Sequence, residues 1–190
     1  DISKFTSLAN SPDFFDQLAD SIAPHVPGYE TEKLAVGLQL FGGVRKTLPD
    51  GTVIPGEIHL GLISDSGTFV DEIAEYATTV APKSVSVSGT DTTQAGLTSA
   101  AYPSSGGAKG WELDAGALAL ANDGLATITQ AGQLDTDALA ALQSVMRDQE
   151  INASKGTVTQ TIPARTSVLV TSRPEYGHFD KYESAATQID

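Results

Sequence analysis

The run Ser64-Asp65-Ser66-Gly67-Thr68-Phe69-Val70-Asp71 follows an apolar, strand-like stretch (Ile58, Leu60, Leu62, Ile63) and opens a helix-like stretch through Ala77. A strand, a glycine-bearing loop and a helix in that order can cradle phosphate with backbone N–H groups and the helix dipole. The eight residues sit in the register of G-x-x-x-x-G-K-[ST]. The lysine position, however, holds Val70, and the hydroxyl position that meets magnesium holds Asp71. Without the lysine, Gly67-Thr68 taken alone reads as a strand-to-helix turn.

The remaining chemistry-bearing residues form no motif. His59 lies on the apolar strand and reads as a hydrogen-bonded core histidine, and His25 and His178 have no spacing that suggests a metal pair. No metal site is expected. Glu72 and Glu75 read as a solvated helix face. Trp111 and Tyr102 flank a Gly-rich excursion, where packing at a hairpin base is a simpler expectation than base stacking.

Helices and strands alternate around the loop. Ser11-Pro12-Asp13 reads as a helix start, with Ser11 as N-cap and Pro12 at the first helical position, before an apolar stripe of Phe14, Phe15, Leu18 and Ile22. A second helix is expected over Glu30–Phe41 with Leu34, Leu38 and Phe41 on one face, ended by Gly42-Gly43. Leu48-Pro49-Asp50-Gly51 is a turn signal. A strand near 58–63, a helix near 69–80 closed by Pro82, and a strand at Ser84–Ser88 follow. Residues 89–110 read as a long excursion with little core of its own. Ala115–Leu120 reads as a packed helix, Leu125–Thr129 as a strand, and Asp135 or Thr136 as the cap of a helix to about Arg147. Ile151–Ile162 reads as a hairpin and Ser167–Ser172 as a strand. This alternation predicts an α/β fold with a mainly parallel sheet.

At 190 residues the chain can build one domain with a substantial core. Zero Cys excludes disulfides, thiolate zinc sites and Cys nucleophiles. Mean hydropathy is −0.08, and no apolar run approaches the roughly 18 residues of a membrane helix. No signal-like segment argues for secretion, so a cytoplasmic location and no membrane partner are expected. The chain opens at Asp1 without a methionine, which suggests a piece of a longer protein. A net charge of −13, from 24 acidic against 11 basic residues, fits either a surface suited to high salt or an ordinary acidic protein. That charge repels DNA in bulk, so any nucleic-acid contact must be local.

The chain resembles the AAA+ core of the minichromosome maintenance (MCM) replicative helicases. The resemblance rests on Ser21-Ile22-Ala23-Pro24, Gly28-Tyr29-Glu30, Leu38-Gln39-Leu40-Phe41-Gly42-Gly43-Val44, Leu48-Pro49-Asp50-Gly51-Thr52 and Gly56-Glu57-Ile58-His59-Leu60. It continues through Ala81-Pro82-Lys83-Ser84-Val85, Ala95-Gly96-Leu97-Thr98, Ala115-Gly116-Ala117-Leu118, Ala164-Arg165-Thr166-Ser167 and Tyr176-Gly177. It implies a single partial AAA+ domain over 1–190: a P-loop-type parallel sheet flanked by helices, with a β-hairpin inserted before the fourth core strand. The fifth core strand and the arginine finger are expected beyond Asp190, which would leave the strand near 58–63 as a sheet edge.

The resemblance also assigns roles. Walker A falls on Ser64 to Asp71, and Ile22, Ala23 and Pro24 fall on the adenine side. Val70 in place of lysine forfeits roughly 4 kcal/mol of attraction at about 4 Å and an effective dielectric near 20. The Walker B Asp-Glu pair falls on Thr129-Gln130, and the sensor Asn on Arg173 before Pro174. Neither Thr129 nor Gln130 can hold magnesium's shell or act as base toward water. ATP and magnesium are the family's ligands, yet no cofactor is expected here. Lys155 falls on the family's hairpin lysine, which meets DNA phosphate, while the alternative is a solvated turn lysine. Asp91–Lys109 falls on a helix-interrupting insertion that reaches the family's central channel. The implied reading is a degenerate MCM-like domain, structural or regulatory in DNA-replication-type assemblies and joined in MCM-type homo- or hetero-oligomers. An ATP-dependent helicase motor subunit and a nucleotide-binding module without turnover are the alternatives.

Overall fold

A computed structural model describes residues 2–103, 111–155 and 158–189, with the side chains of Lys155 and Val158 excepted. The elements run α1 (Ile2–Ala9), α2 (Phe14–Ser21), α3 (Glu30–Phe41), β1 (Lys46–Thr47), β2 (Val53–Ile54), β3 (Leu60–Ile63), α4 (Val70–Val80) and β4 (Ser84–Ser88). There follow α5 (Gln94–Leu97), β5 (Ser99–Pro103), β6 (Trp111–Ala115), α6 (Ala117–Leu120) and β7 (Gly124–Thr129). The chain ends through α7 (Thr136–Asp148), β8 (Glu150–Lys155), β9 (Val158–Pro163) and β10 (Thr166–Ser172).

Four strands form a parallel sheet in the order β3-β10-β7-β4. Alternation along the central strands feeds two apolar cores, one on each face. Leu125 and Leu169 pack with Val36, Val70, Ile73, Ala74 and Ala77, so α3 and α4 cover one face. Ala126, Ile128 and Val168 pack with Leu118, Ala138, Leu142 and Val145, so α6 and α7 cover the other. Helix α4 presents Val70, Ile73, Ala74 and Ala77 at the i, i+3, i+4, i+7 spacing of a single face. Hydroxyls buried in the sheet are paired, as a low-dielectric interior requires. Thr78 Oγ1 donates to Thr127 Oγ1 at 2.8 Å, and Thr166 Oγ1 donates to the Leu118 carbonyl at 2.9 Å.

The α/β architecture is as the sequence predicts. Strands β8 and β9 form the hairpin inserted before β10, with buried Ile151 and Ala153 alternating with exposed Asn152 and Ser154. Asp135 caps α7, its Oδ1 accepting from Ala138 N at 2.7 Å. Strand β3 lies at a sheet edge among the described residues.

Four expectations are corrected. Helix α2 opens at Phe14 rather than Ser11, because Phe14 N donates to the Ser11 carbonyl at 3.1 Å and closes a turn around Pro12. In α3 the buried face is Lys33, Val36, Gly37 and Gln39, whereas Leu38 and Phe41 are exposed. The cause is close helix packing, since a Cβ at Gly37 would stand 2.9 Å from Leu18 Cγ. Residues 89–103 carry their own order: Thr93 Oγ1 caps α5 by accepting from Gly96 N at 3.3 Å, and Leu97 is fully buried. Tyr102 and Trp111 sit at the end of the β5–β6 ladder nearest residues 104–110, not at its base.

Candidate functional site

Strand β3 delivers the loop to the carboxyl end of the sheet, where Ser64 N donates to the Ser172 carbonyl at 3.2 Å. The loop is braced internally by Ser64 Oγ with Thr68 Oγ1 at 2.7 Å and by Thr68 Oγ1 donating to the Asp65 carbonyl at 3.0 Å. Gly67 turns the chain at φ 84°, a left-handed conformation that suits glycine. The segment after β10 ties on from outside. Ser66 N donates to the Gly177 carbonyl at 2.8 Å, and Phe179 N donates to Asp65 Oδ1 at 2.8 Å.

Val70, which the resemblance places at the lysine position, faces inward. Val70 is 5% exposed and belongs to the same apolar core as Ile22 and Ala23. Of the three adenine-side candidates, Ile22 and Ala23 are buried and Pro24 is exposed. Phe69 meets Tyr29 edge to face, with ring centroids 6.3 Å apart.

Asp71 is engaged at both oxygens. Oδ1 accepts from Thr171 Oγ1 at 2.7 Å, and Oδ2 lies 3.4 Å from Arg173 Nη2. The same Thr171 hydroxyl accepts from Gln130 N at 3.4 Å, so its proton goes to the carboxylate and its lone pair to the amide. Gln130 is left-handed at φ 54°, and the Thr129 carbonyl accepts from Gly89 N at 2.7 Å. Buried Thr171 thus links Asp71 to Gln130, and Arg173 joins them by its direct contact with Asp71. Beside them a cleft of about 540 Å³ is lined by Thr90, Gln130, Gln133, Ser172, Arg173 and Glu175. Clefts outside the carboxyl ends of the strands are where open α/β sheets bind ligands.

Thr171 and Ser172 were not singled out from sequence. Their signal is weak: a Thr-Ser pair at the end of a strand, whose hydroxyls receive Gln130 N and Gly132 N. Lys155 ends β8, and its side chain lies outside the described residues, as do residues 104–109 of the 91–109 segment.

At the opposite end of the sheet, His59 Nδ1 accepts from Val168 N at 3.2 Å. Burial pushes its pKa down, outweighing a hydrogen bond to the Met146 backbone and the charge of Glu57. It is hydrogen-bonded, as read, but only half-buried at the end of β3 rather than in the core. His25 pairs with the Tyr76 ring and His178 is exposed. No group of three or more His, Cys, Asp or Glu that could hold a metal stands together among the described residues. No described helix is long and apolar enough to cross a membrane.

Comparison with known proteins matches residues 1–190 to the MCM P-loop domain. DNA replication licensing factor MCM6 of Arabidopsis thaliana is 33% identical over 183 residues, covering 95% of this chain and 22% of that protein. The minichromosome maintenance protein MCM of Saccharolobus solfataricus is 35% identical over 179 residues, covering 94% of this chain and 26% of that protein. DNA replication licensing factor mcm7 of Schizosaccharomyces pombe is 37% identical over 166 residues, covering 87% and 22%. The chain thus spans about a quarter of the length of these curated relatives. The parallel sheet, the strand–loop–helix at Ser64–Asp71, the inserted hairpin and these matches converge, and the chain belongs to the minichromosome maintenance (MCM) family.

Proposed function

We propose that this domain is a disarmed MCM-type AAA+ domain that does not hydrolyse ATP and serves a structural or regulatory role in a DNA-replication-type assembly. The observation that carries the reading is the Asp71–Arg173 ion pair beside a buried Val70. In the family pattern these positions are a magnesium-side hydroxyl, a water-orienting Asn and a phosphate-binding lysine. Here the hydroxyl position is an anion, the sensor position is a cation, and the two neutralise each other. Thr129 and Gln130 add no anion for magnesium's shell and no base for water. The residues present do not fit magnesium-bound ATP.

The relatives named as replication licensing factors support a role in replication-type assemblies, with MCM-type homo- or hetero-oligomers as partners. DNA contact through the hairpin at Lys155 belongs to the same proposal, as do a high-salt-adapted acidic surface and a cytoplasmic setting. The family match favours a second reading, a helicase motor subunit whose turnover resides in partner subunits. Phosphate release from magnesium–ATP, with and without DNA, separates catalysis by this chain from its absence. The expected rate equals that of buffer. Turnover abolished by Gln130→Ala would overturn the proposal.

A further inference from the structure

We propose that the cavity at the amino ends of the parallel strands is a docking site for an acidic, extended protein segment, whose carboxylates meet Arg45, Lys83 and Arg165 and whose backbone N–H meets Gln39. It lies at the end of the sheet away from the Ser64–Asp71 loop and is independent of the functional reading of that loop. The cavity, of about 350 Å³, opens between the end of α3, Glu57 ahead of β3, Lys83 ahead of β4, Asp123 ahead of β7 and Arg165 ahead of β10.

Charge selects the segment. Three cations and two carboxylates, Glu57 and Asp123, line the cavity, whereas the whole chain holds 11 basic against 24 acidic residues. Two of the cations rest on neutral acceptors: Arg45 Nη1 donates to Gln149 Oε1 at 2.8 Å, and Lys83 Nζ donates to the Asn122 carbonyl at 2.8 Å. Arg165 Nε stands 3.7 Å from Asp123 Oδ1, and its side chain is 42% exposed. Glu57 is held by Gln149 Nε2. The site therefore keeps a net positive charge in an acidic protein, with guanidinium donors to spare for a carboxylate. A surplus of one charge, with two carboxylates in the walls, suits a segment carrying one or two acids and disfavours a long polyphosphate.

Gln39 adds a demand that charge alone does not meet. It is 2% exposed and lines the cavity, and its Nε2 donates to the Ile58 and Val168 carbonyls at 3.0 and 2.8 Å, which fixes the orientation of the amide. Its Oε1 is buried and accepts from no described group. A buried acceptor left unfilled is costly, so a ligand that brings an N–H gains by filling it. A peptide backbone brings one, and the backbone phosphates of nucleic acid bring none. Phe41, also in the cavity wall, is 69% exposed, which gives an apolar side chain of the segment a surface to rest on.

The probe is the capped peptide N-acetyl-Glu-Phe-Glu-amide, titrated at constant ionic strength while the amides of Gly42, Gly43 and Gly124 and the Gln39 side-chain amide are followed by NMR. Saturable shifts with a Kd on the order of 1 mM are expected. The double variant Lys83→Gln, Arg165→Gln should weaken binding about tenfold, the reach of two exposed charge contacts. Asp123→Asn should tighten it about two- to threefold, by removing a carboxylate that repels the segment. Because these variants move affinity in opposite directions, general damage to the fold cannot mimic the result. No saturable shift, an unmoved Gln39 amide, or equal affinity for N-acetyl-Gln-Phe-Gln-amide would overturn the inference. Free glutamate binding as tightly would overturn it in favour of an amino-acid site, and a short oligothymidylate binding more tightly would overturn it in favour of a nucleic-acid face.

Discussion

Asp71 Oδ2 and Arg173 Nη2 lie 3.4 Å apart across 102 residues of sequence, one at the start of α4 and the other just after β10. Thr171 anchors the pair from beneath, donating to the other Asp71 oxygen at 2.7 Å. Two positions that the resemblance places on the Walker A and sensor motifs therefore meet each other. Each charge alone would be a liability at the loop, and together they form a neutral brace between the helix and the sheet.

A double-mutant cycle of Asp71→Asn and Arg173→Gln should give a coupling of about 0.2–1 kcal/mol, since both side chains are nearly half exposed. Urea unfolding at increasing NaCl measures it. The coupling should shrink as screening grows. Coupling that is zero at low salt would mean the pair is incidental.

Val70→Lys should not restore catalysis and should destabilise the domain by about 1–3 kcal/mol, because an ammonium replaces a side chain packed in the core. The checks are the urea midpoint and an assay of phosphate release. A variant as stable as the parent would indicate that the lysine finds its way to solvent and that Val70 is not a structural commitment.

His59 makes stability depend on pH. Its folded pKa lies below the ordinary 6.5 because burial disfavours the imidazolium, so the unfolded chain binds the proton first. Its contribution is fully present above pH 6.5 and is lost as pH falls through the folded pKa. Glu57 acts in the same direction below pH 4.5. Burial raises its pKa, but the hydrogen bond from Gln149, with backbone donors and Arg45, holds it lower overall. Urea midpoints should fall from pH 6.5 to 5, and the slope should flatten in His59→Gln. An unchanged slope would remove His59 as its source.

Asp135→Ala should cost about 1 kcal/mol, through loss of the 2.7 Å cap on Ala138 N and of an anion at the positive end of α7. Asp135→Ser should recover most of it. Equal losses in both variants would point away from capping.

The elements themselves were legible from local chemistry. Gly42-Gly43 ends α3 where expected, Asp135 caps α7, and period-2 alternation marks β8. What failed was knowledge of which side chains face inward. Lys33 and Gln39 are buried because they reach carbonyls that only the tertiary fold places: Lys33 Nζ donates to Val26, and Gln39 Nε2 donates to Ile58 and Val168. Glycine 37 admits Leu18, which shifts the buried face away from Leu38. In the site, the residue types at 71, 130 and 173 could be read in sequence as expected departures from the family pattern. That Asp71 meets Arg173 directly while Thr171 links Asp71 to Gln130 could not, because it depends on β10 lying between β3 and β7.

The central claim is that this frame no longer takes magnesium-bound ATP, and calorimetric titration of magnesium–ATP into the chain at high salt tests it most directly. The account predicts no saturable heat up to millimolar ATP. A micromolar Kd that is lost on chelating magnesium would contradict it.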